Sequence, residues 1–300
     1  MLQPCRLCGV PSELQESHVV PAFVYKWLKE TSATGFIRFG QNPNKRVQDG
    51  YKEYWLCRDC EKRLNAWETK FATNIFHPIN ENGGQRIRYG EWLLKFCISV
   101  SWRTLLKLKE FGLEHFTEPQ RAAADGALTT WAKCLLGEQP NPGSFEQHLL
   151  PLDAIEDTSA GNLSPNINRY ILRTVDLDVV RSDSIAFVVT KMSKYFVLGF
   201  IDVKYPKQWR GIKIHAREGL FGSGDFTMPV KFRDYIFDEA KKYGASVAKI
   251  SEKQHQKMDA LMWKNIDRVS KSGSFQAMKH DVRNAGKAAF DVHRPKKPPG

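Results

Sequence analysis

The chain has 300 residues, is 42% hydrophobic and carries a formal net charge of +12 at pH 7. This length and hydrophobic content allow more than one globular core and exclude a fully disordered chain. No stretch approaches about 20 consecutive apolar residues, and the N-terminus lacks a secretory pattern. We therefore expect a soluble, cytoplasmic protein without a membrane partner.

Four of the six cysteines form two Cys-x-x-Cys pairs, Cys5/Cys8 and Cys57/Cys60. In a reducing compartment such pairs indicate metal ligands rather than disulfides. Each pair can close a tight knuckle, and two knuckles supply the four thiolates of a structural Zn²⁺ site. Gly9 follows the first pair and suits the positive-φ turn that a knuckle often needs. The spacing therefore predicts one zinc site.

The elements between and after these pairs follow from local patterns. Proline in the first turn and apolar spacing predict a short helix over residues 21–29. A β-rich run predicts a strand over 51–56 that leads to Cys57, and apolar residues at helical spacing predict a helix over 61–76.

The middle of the chain is predicted to be helical. Residues 91–136 carry too much apolar surface for an exposed helix, and a second helix is predicted near 121–136. Cys97 and Cys134 lie in these apolar surroundings and are predicted to be core residues. Residues 139–168 are rich in Pro, Gly, Asn and Ser, which indicates a linker or long surface loop.

The last third combines strands and helices. Two apolar, β-branched runs at residues 184–190 and 195–203 flank a short polar stretch and predict a hairpin. Helices are predicted over 231–243 and 252–269. The tail, residues 291–300, is predicted to be disordered.

The order of the N-terminal motifs resembles that of the HNH, or ββα-metal, endonucleases in their zinc-stapled treble-clef form. The resemblance covers about residues 1–76. The matching segments are the first knuckle Cys5-Arg6-Leu7-Cys8, the His-containing segment Ser17-His18-Val19-Val20-Pro21, and the second knuckle with its ligand position, Cys57-Arg58-Asp59-Cys60-Glu61.

The resemblance implies a metal-dependent nuclease. By analogy with the family, His18 is the general base that activates a water molecule, and Glu61 holds a catalytic Mg²⁺ or Mn²⁺ against the scissile phosphate. Phosphodiester hydrolysis needs both functions. On the predicted helix, Glu61, Asn65 and Glu68 share one polar stripe, because residues at i, i+4 and i+7 lie on the same face. All three are candidate catalytic residues together with His18.

Two positions depart from the family pattern. Ser17 stands where the family usually has a metal-binding Asp, and Glu61 stands where it usually has a terminal His. The middle residue of the pattern could be Asn42, Asn44 or Gln48. These departures keep a second hypothesis open: a zinc-stabilised module that binds nucleic acid or protein and has lost catalysis.

The positive charge is concentrated near the C-terminus. The net charge is +4 over residues 1–90, −4 over 91–180 and +12 over 181–300. Such a surface fits a nucleic acid, with DNA favoured over RNA, or a solubilising face, and it could also recognise a protein partner. Tyr205 and Trp209 lie among the basic residues, where rings could stack on bases. The candidate nucleic-acid contacts are Lys204, Lys207, Arg210, Lys213 and Arg217.

We therefore predict an α+β protein that hydrolyses nucleic-acid phosphodiester bonds, with a role in bacterial or phage defence. Its predicted domains are a small zinc-stapled ββα-metal or treble-clef domain (1–90), a helical segment (91–138), a linker or long loop (139–168), a basic α+β domain (169–290) and a disordered tail (291–300).

Overall fold

A computed structural model describes residues 2–83, 86–157, 163–222 and 224–291. The predicted tail lies outside these residues except for its first position. Helices and strands alternate along the described chain, which confirms the mixed α+β class.

The longest strands within these ranges lie between residues 175 and 203, and the others are shorter. They are β1 (Gln3–Pro4), β2 (Pro11–Ser12), β3 (Leu14–His18), β4 (Ile37–Phe39), β5 (Asn42–Val47), β6 (Lys52–Cys57), β7 (Ile87–Gly90), β8 (Gln147–Pro151), β9 (Val175–Ser182), β10 (Ile185–Met192), β11 (Tyr195–Val203) and β12 (Glu218–Phe221).

The helices include two long ones in the middle of the chain and a helical C-terminal region. They are α1 (Ala22–Glu30), α2 (Arg58–Phe71), α3 (His77–Asn82), α4 (Glu91–Phe111), α5 (Glu118–Leu136), α6 (Ile167–Arg173), α7 (Val230–Val247), α8 (Glu252–Lys264), α9 (Ile266–Lys271), α10 (Gly273–Ala285) and α11 (Ala288–Asp291). A π-helical turn over Ala72–Phe76 continues α2, and a 3₁₀ turn spans Pro206–Gln208.

The elements predicted around the second cysteine pair are confirmed, with shifted ends. β6 covers the predicted strand, and α2 with its π-helical turn covers the predicted helix over 61–76. The predicted hairpin is also confirmed, because β10 and β11 pair antiparallel from Ile185–Val203 to Met192–Tyr195. These segments carry the clearest periodicity in the chain, so local pattern was sufficient there.

Residues 139–168 are not a loop throughout, and that prediction was wrong for their centre. β8 lies inside this segment and pairs antiparallel with β11. It forms one edge of a four-stranded sheet of order β8-β11-β10-β9. Only Leu149 and Leu150 mark it as a strand, because Gln147 and His148 beside them are polar yet buried. Two apolar residues are too few to reveal a strand by alternation.

The chain folds into two compact units whose segments alternate along the sequence. The first unit comprises Met1–Pro21, Gly50–Pro151 and Val175–Met228, and the second comprises Ala22–Asp49, Leu152–Thr174 and Pro229–Gly300. The contiguous domain boundaries predicted above stay a prediction, because they concern which segments fold independently, whereas these units are defined by packing.

In the first unit, α4 is the central element. It packs against α2, α5 and the four-stranded sheet, and most of its side chains are buried. A Cβ atom on Gly199 of β11 would lie 2.6 Å from Ser101 Oγ and 2.9 Å from the Trp131 ring. Glycine therefore permits the close approach of β11 to α4 and α5. Cys97 and Cys134 are fully buried here, which confirms them as core residues.

The second unit contains α1, the β4–β5 hairpin and the helices α6 to α11. A buried carboxylate joins two of these helices: Asp281 of α10 accepts hydrogen bonds from the Asn168 backbone N–H at 2.7 Å and from Arg169 Nε at 2.7 Å in α6. Pairing satisfies the charges that burial would otherwise penalise.

Candidate metal centre and adjacent polar cluster

The two cysteine pairs occupy two different local structures that meet. Cys5 and Cys8 lie in the turn between β1 and β2, where the Cys5 N–H donates to Val10 O at 3.0 Å and the Gly9 N–H donates to Cys5 O at 2.8 Å. Gly9 has φ +77°, as a knuckle requires. Cys57 ends β6 and caps α2, and Cys60 lies in the first turn of that helix.

The four sulfur atoms all lie within 4.8 Å of one another. The Sγ atoms of Cys8 and Cys57 are 3.8 Å apart. Four thiolates placed tetrahedrally at about 2.3 Å from a zinc ion have sulfur–sulfur separations of about 3.8 Å. The four cysteines could therefore hold a zinc ion, and their geometry fits one.

Two thiols of the cluster have pKa values shifted in opposite directions. Burial raises the pKa of the Cys60 thiol, and hydrogen bonding to Cys57 adds to the rise. Burial also acts on Cys5, but backbone hydrogen bonds from Cys8 and Cys57 outweigh it and lower the pKa of that thiol to about 7. A divalent cation at the centre of the cluster would favour the thiolate form of all four groups.

A polar cluster lies between β3 and α2, close to the cysteines. Ser17, at the end of β3, is 1% exposed, and its Oγ–H donates to Glu61 Oε2 at 2.5 Å. His18 follows Ser17 on the same strand and is half-buried. Glu61 directly follows Cys60, so its position depends on the cysteine cluster.

Arg103 of α4 ties the same strand end to α2. Its Nη1 donates to the backbone oxygen of His18 at 2.7 Å, and its Nη2 donates to Glu68 Oε1 at 2.6 Å. Its side chain is 2% exposed and that of Glu68 is 14% exposed. Burial raises the pKa of the Glu68 carboxyl; Arg103 and His18 oppose that rise, and Glu61 adds to it. His18, Glu61 and Glu68 are therefore close enough to interact electrostatically.

The remaining predicted site residues are placed differently. Asn65 is exposed on α2 and lies apart from the hydrogen bonds that join Ser17, Glu61, Glu68 and Arg103. Glu16, beside Ser17, pairs with Lys52 Nζ at 3.0 Å.

Within the described ranges, the four cysteines are the only place where three or more His, Cys, Asp or Glu ligand atoms converge. A catalytic ion at Glu61 would thus need water or substrate oxygen atoms as further ligands.

The predicted nucleic-acid contacts are all exposed, in the segment between β11 and β12. Tyr205 is 61% exposed. The suggestion that Trp209 stacks on bases was wrong, because it is 3% exposed and packs against Phe187 and Phe200. The exposed cations are Lys204, Lys207, Arg210, Lys213 and Arg217.

Sequence reasoning missed Arg103 and the role of Ser17. Arg103 stands between Trp102 and Thr104 in an apolar helical stretch. A charge in such a stretch must find a partner if the helix is buried, and this signal could have identified it. Its partners, from β3 and α2, could not be read from the sequence.

Comparisons with family models, with curated proteins and with solved structures give no match for this chain. In the described part of the chain, none of the helices has the length and hydropathy needed to cross a membrane. The functional argument therefore depends on the geometry of the site.

Proposed function

We propose that the protein is a metal-dependent, HNH-like endonuclease that hydrolyses nucleic-acid phosphodiester bonds. The observation that carries the proposal is the hydrogen bond of 2.5 Å between Ser17 and Glu61, which places the His18-bearing strand end beside the acidic face of α2. A histidine next to carboxylates, adjacent to a candidate structural metal centre, has the functional groups that this reaction needs.

Each residue then has a defined task. His18 accepts a proton from the attacking water molecule, and Glu61 offers carboxylate oxygen to Mg²⁺ or Mn²⁺. When bound, the ion would stabilise negative charge on the phosphate. Glu68 has one oxygen engaged by Arg103, so we assign it to holding the strand end of His18 in place. Asn65, one turn along α2, would contact substrate or an ion-bound water.

The substrate is proposed to be DNA rather than RNA, with a role in bacterial or phage defence. The support for a nucleic-acid substrate is the excess of positive charge in residues 181–300 and the exposure of the five candidate cations. The chain could also bind a protein partner through its C-terminal region. The structural zinc would hold the knuckle against the start of α2.

The second candidate function is a zinc-stabilised binding module without catalysis. The observation that favours it is the identity of Ser17, whose hydroxyl is a weaker ion ligand than a carboxylate and already occupies one oxygen of Glu61. Such a protein would bind nucleic acid or a partner protein but would leave phosphodiester bonds intact.

The test is incubation of the full-length protein with plasmid DNA and with RNA, with and without Mg²⁺ or Mn²⁺. His18→Ala and Glu61→Gln should each reduce divalent-dependent cleavage by roughly two orders of magnitude or more. Matched controls are His115→Ala and Glu118→Gln, because both residues are exposed on the surface of the first unit. Zinc content and circular dichroism should be unchanged in all four variants.

The outcomes separate the candidates. Cleavage that is lost in the two site variants and kept in the two controls supports the nuclease. Undiminished cleavage by His18→Ala would refute the assignment of the base. Binding of nucleic acid by the wild-type protein, without cleavage of either substrate under any divalent ion, would support the binding module.

A further inference from the structure

A cleft of about 480 Å³ opens on the first unit; Lys213 lines it, whereas His18, Glu61 and Glu68 do not. It lies between the β7–β12 pair and the segment that precedes β12. Its volume is in the range of pockets that hold small ligands or parts of larger ones. The side chains that line it are Arg88, Tyr89, Lys213, His215, Glu218 and Leu220.

The wall of the cleft is built from close contacts. A Cβ atom on Gly219 would lie 2.3 Å from Tyr89 Oη, so only glycine leaves room for this ring against β12. Tyr89 is 3% exposed, and its hydroxyl accepts a hydrogen bond from the His215 backbone N–H at 3.2 Å. The tyrosine therefore connects β7, β12 and the segment carrying His215, and it fixes the shape of the cleft.

A chain of paired side chains holds one cation in the wall. Lys213 Nζ pairs with Glu146, whose other oxygen lies 3.2 Å from His148 Nε2. His148 and Lys213 lower the pKa of Glu146, so this carboxylate is ionised at neutral pH. Lys213 keeps 44% of its side-chain exposure. Glu146 thus holds a lysine side chain that lines the cleft and is partly exposed.

Arg88 supplies the second cation. Its Nη1 lies 3.9 Å from Glu218, and both side chains are more than 70% exposed. A pair with this separation and exposure is weak, so an anion could replace it at low cost. A guanidinium group presents five N–H donors in a planar fork that suits phosphate oxygen atoms.

We propose that this cleft binds a phosphate group of a nucleic-acid strand, with Arg88 and Lys213 as cationic contacts and His215 as a hydrogen-bonding contact. A nucleic acid is favoured over a small phosphate compound because the segment that supplies Lys213 to the cleft also carries three further exposed cations, Lys204, Lys207 and Arg210. The inference rests on the nucleic-acid substrate of the proposed function but does not require cleavage.

The test is a fluorescence anisotropy titration of the full-length protein with a short labelled DNA, without added divalent ion so that cleavage cannot interfere. Arg88→Ala and Lys213→Ala should each weaken binding several-fold and reduce the slope of log affinity against log salt by about one. Arg121→Ala is the matched control, since it removes one exposed, ion-paired positive charge from α5. Its binding should equal that of the wild type within error.

Further titrations distinguish a phosphate of the DNA backbone from free inorganic phosphate. A DNA of the same sequence with a neutral methylphosphonate backbone should bind the wild type weakly and should not discriminate Arg88→Ala. Equal affinity of wild type and both cleft variants for ordinary DNA would overturn the proposal. The proposal would also be overturned if binding of inorganic phosphate depended on Arg88 while binding of DNA did not. Absence of cleavage by the wild type together with DNA binding that depends on Arg88 and Lys213 would refute the nuclease and leave this inference intact, so the two proposals fail separately.

Discussion

Replacement of Arg103 by methionine should destabilise the first unit strongly. The substitution keeps most of the side-chain volume but removes the charge that faces Glu68 Oε1 at 2.6 Å and the donor to His18 O at 2.7 Å. It leaves a carboxylate with 14% side-chain exposure without its cation. A buried charge without a partner is one of the few changes that cost several kcal/mol.

The magnitude follows from the geometry. Two unit charges at 2.6 Å attract by about 6 kcal/mol at an effective dielectric constant of about 20. The cost of removing both ions from water cancels much of this attraction in the intact pair. Removing only one partner keeps the desolvation cost of the other, so the expected loss of unfolding free energy is about 3–5 kcal/mol. With a slope of about 2 kcal/mol per molar urea, the midpoint should fall by about 1.5–2.5 M.

The loss should also depend on pH. Burial raises the pKa of the Glu68 carboxyl above its ordinary value of 4.5, and Arg103 opposes that rise. Without Arg103 the pKa rises further, so the folded variant retains a proton that the unfolded chain releases. Its stability relative to the wild type therefore falls as pH rises from the folded-state pKa of Glu68 in the wild type to the higher folded-state pKa in the variant, and the deficit should be smaller at about pH 5 than at about pH 8.

The assay is urea unfolding followed by tryptophan fluorescence at both pH values. Arg121→Met is the control, because the pair it breaks on α5 is exposed and should contribute less than about 0.5 kcal/mol. The double variant Arg103→Met/Glu68→Met removes both charges and should recover most of the lost stability. An unchanged midpoint in Arg103→Met, or a double variant as unstable as the single one, would refute the reasoning.

Two further predictions concern the metal centre and the residue beside His18. Elemental analysis should find about one Zn²⁺ per chain, and a zinc-free wild type would contradict this. Cys57→Ser should lose the zinc and the folded state of its surroundings. Cys97→Ser should keep the zinc, because this core thiol is not a ligand. Ser17→Asp places a carboxylate at a buried position against the half-buried Glu61. Its melting temperature should therefore be lower without divalent ions and should rise more with Mn²⁺ than that of the wild type. Equal shifts in both proteins would exclude ion binding at this position.

The parts of the fold that the sequence predicts are those that short-range residue spacing determines. The spacing of the cysteines predicts that the two members of each pair lie close together, because a Cys-x-x-Cys knuckle is nearly closed by its own turn, and four thiolates of this kind are typical of one zinc site. The β10–β11 hairpin is predicted because its apolar runs are long. β8 is missed because its burial depends on pairing with β11, which follows it by more than 40 residues in the chain. Such pairing is a tertiary effect that propensity does not contain.

The candidate site also has a part that local spacing predicts and a part that depends on tertiary packing. The helical spacing of Glu61 and Glu68 predicts a shared face, and both lie near His18 in the structure. Asn65 shares the spacing but is exposed, because at 3.6 residues per turn it lies about 40° to one side of Glu61, whereas Glu68 lies about 20° to the other side. The contact of Arg103 with both α2 and β3 depends on how α4 packs. Amphipathic spacing within one helix cannot reveal which other element supplies a counter-ion.

The position of Glu61 links the two parts of the site energetically. Glu61 directly follows Cys60 in the first turn of α2, and its carboxylate receives the hydroxyl of Ser17 from β3. Zinc bound by the four thiolates would hold the start of this helix against the knuckle, and the free energy of binding would be part of the folding free energy. Removing zinc would therefore release Glu61 and His18 from their mutual geometry even though neither is a zinc ligand. The cysteine cluster would thus be needed for either proposed function, whereas the roles proposed for His18 and Glu61 separate the nuclease from the binding module.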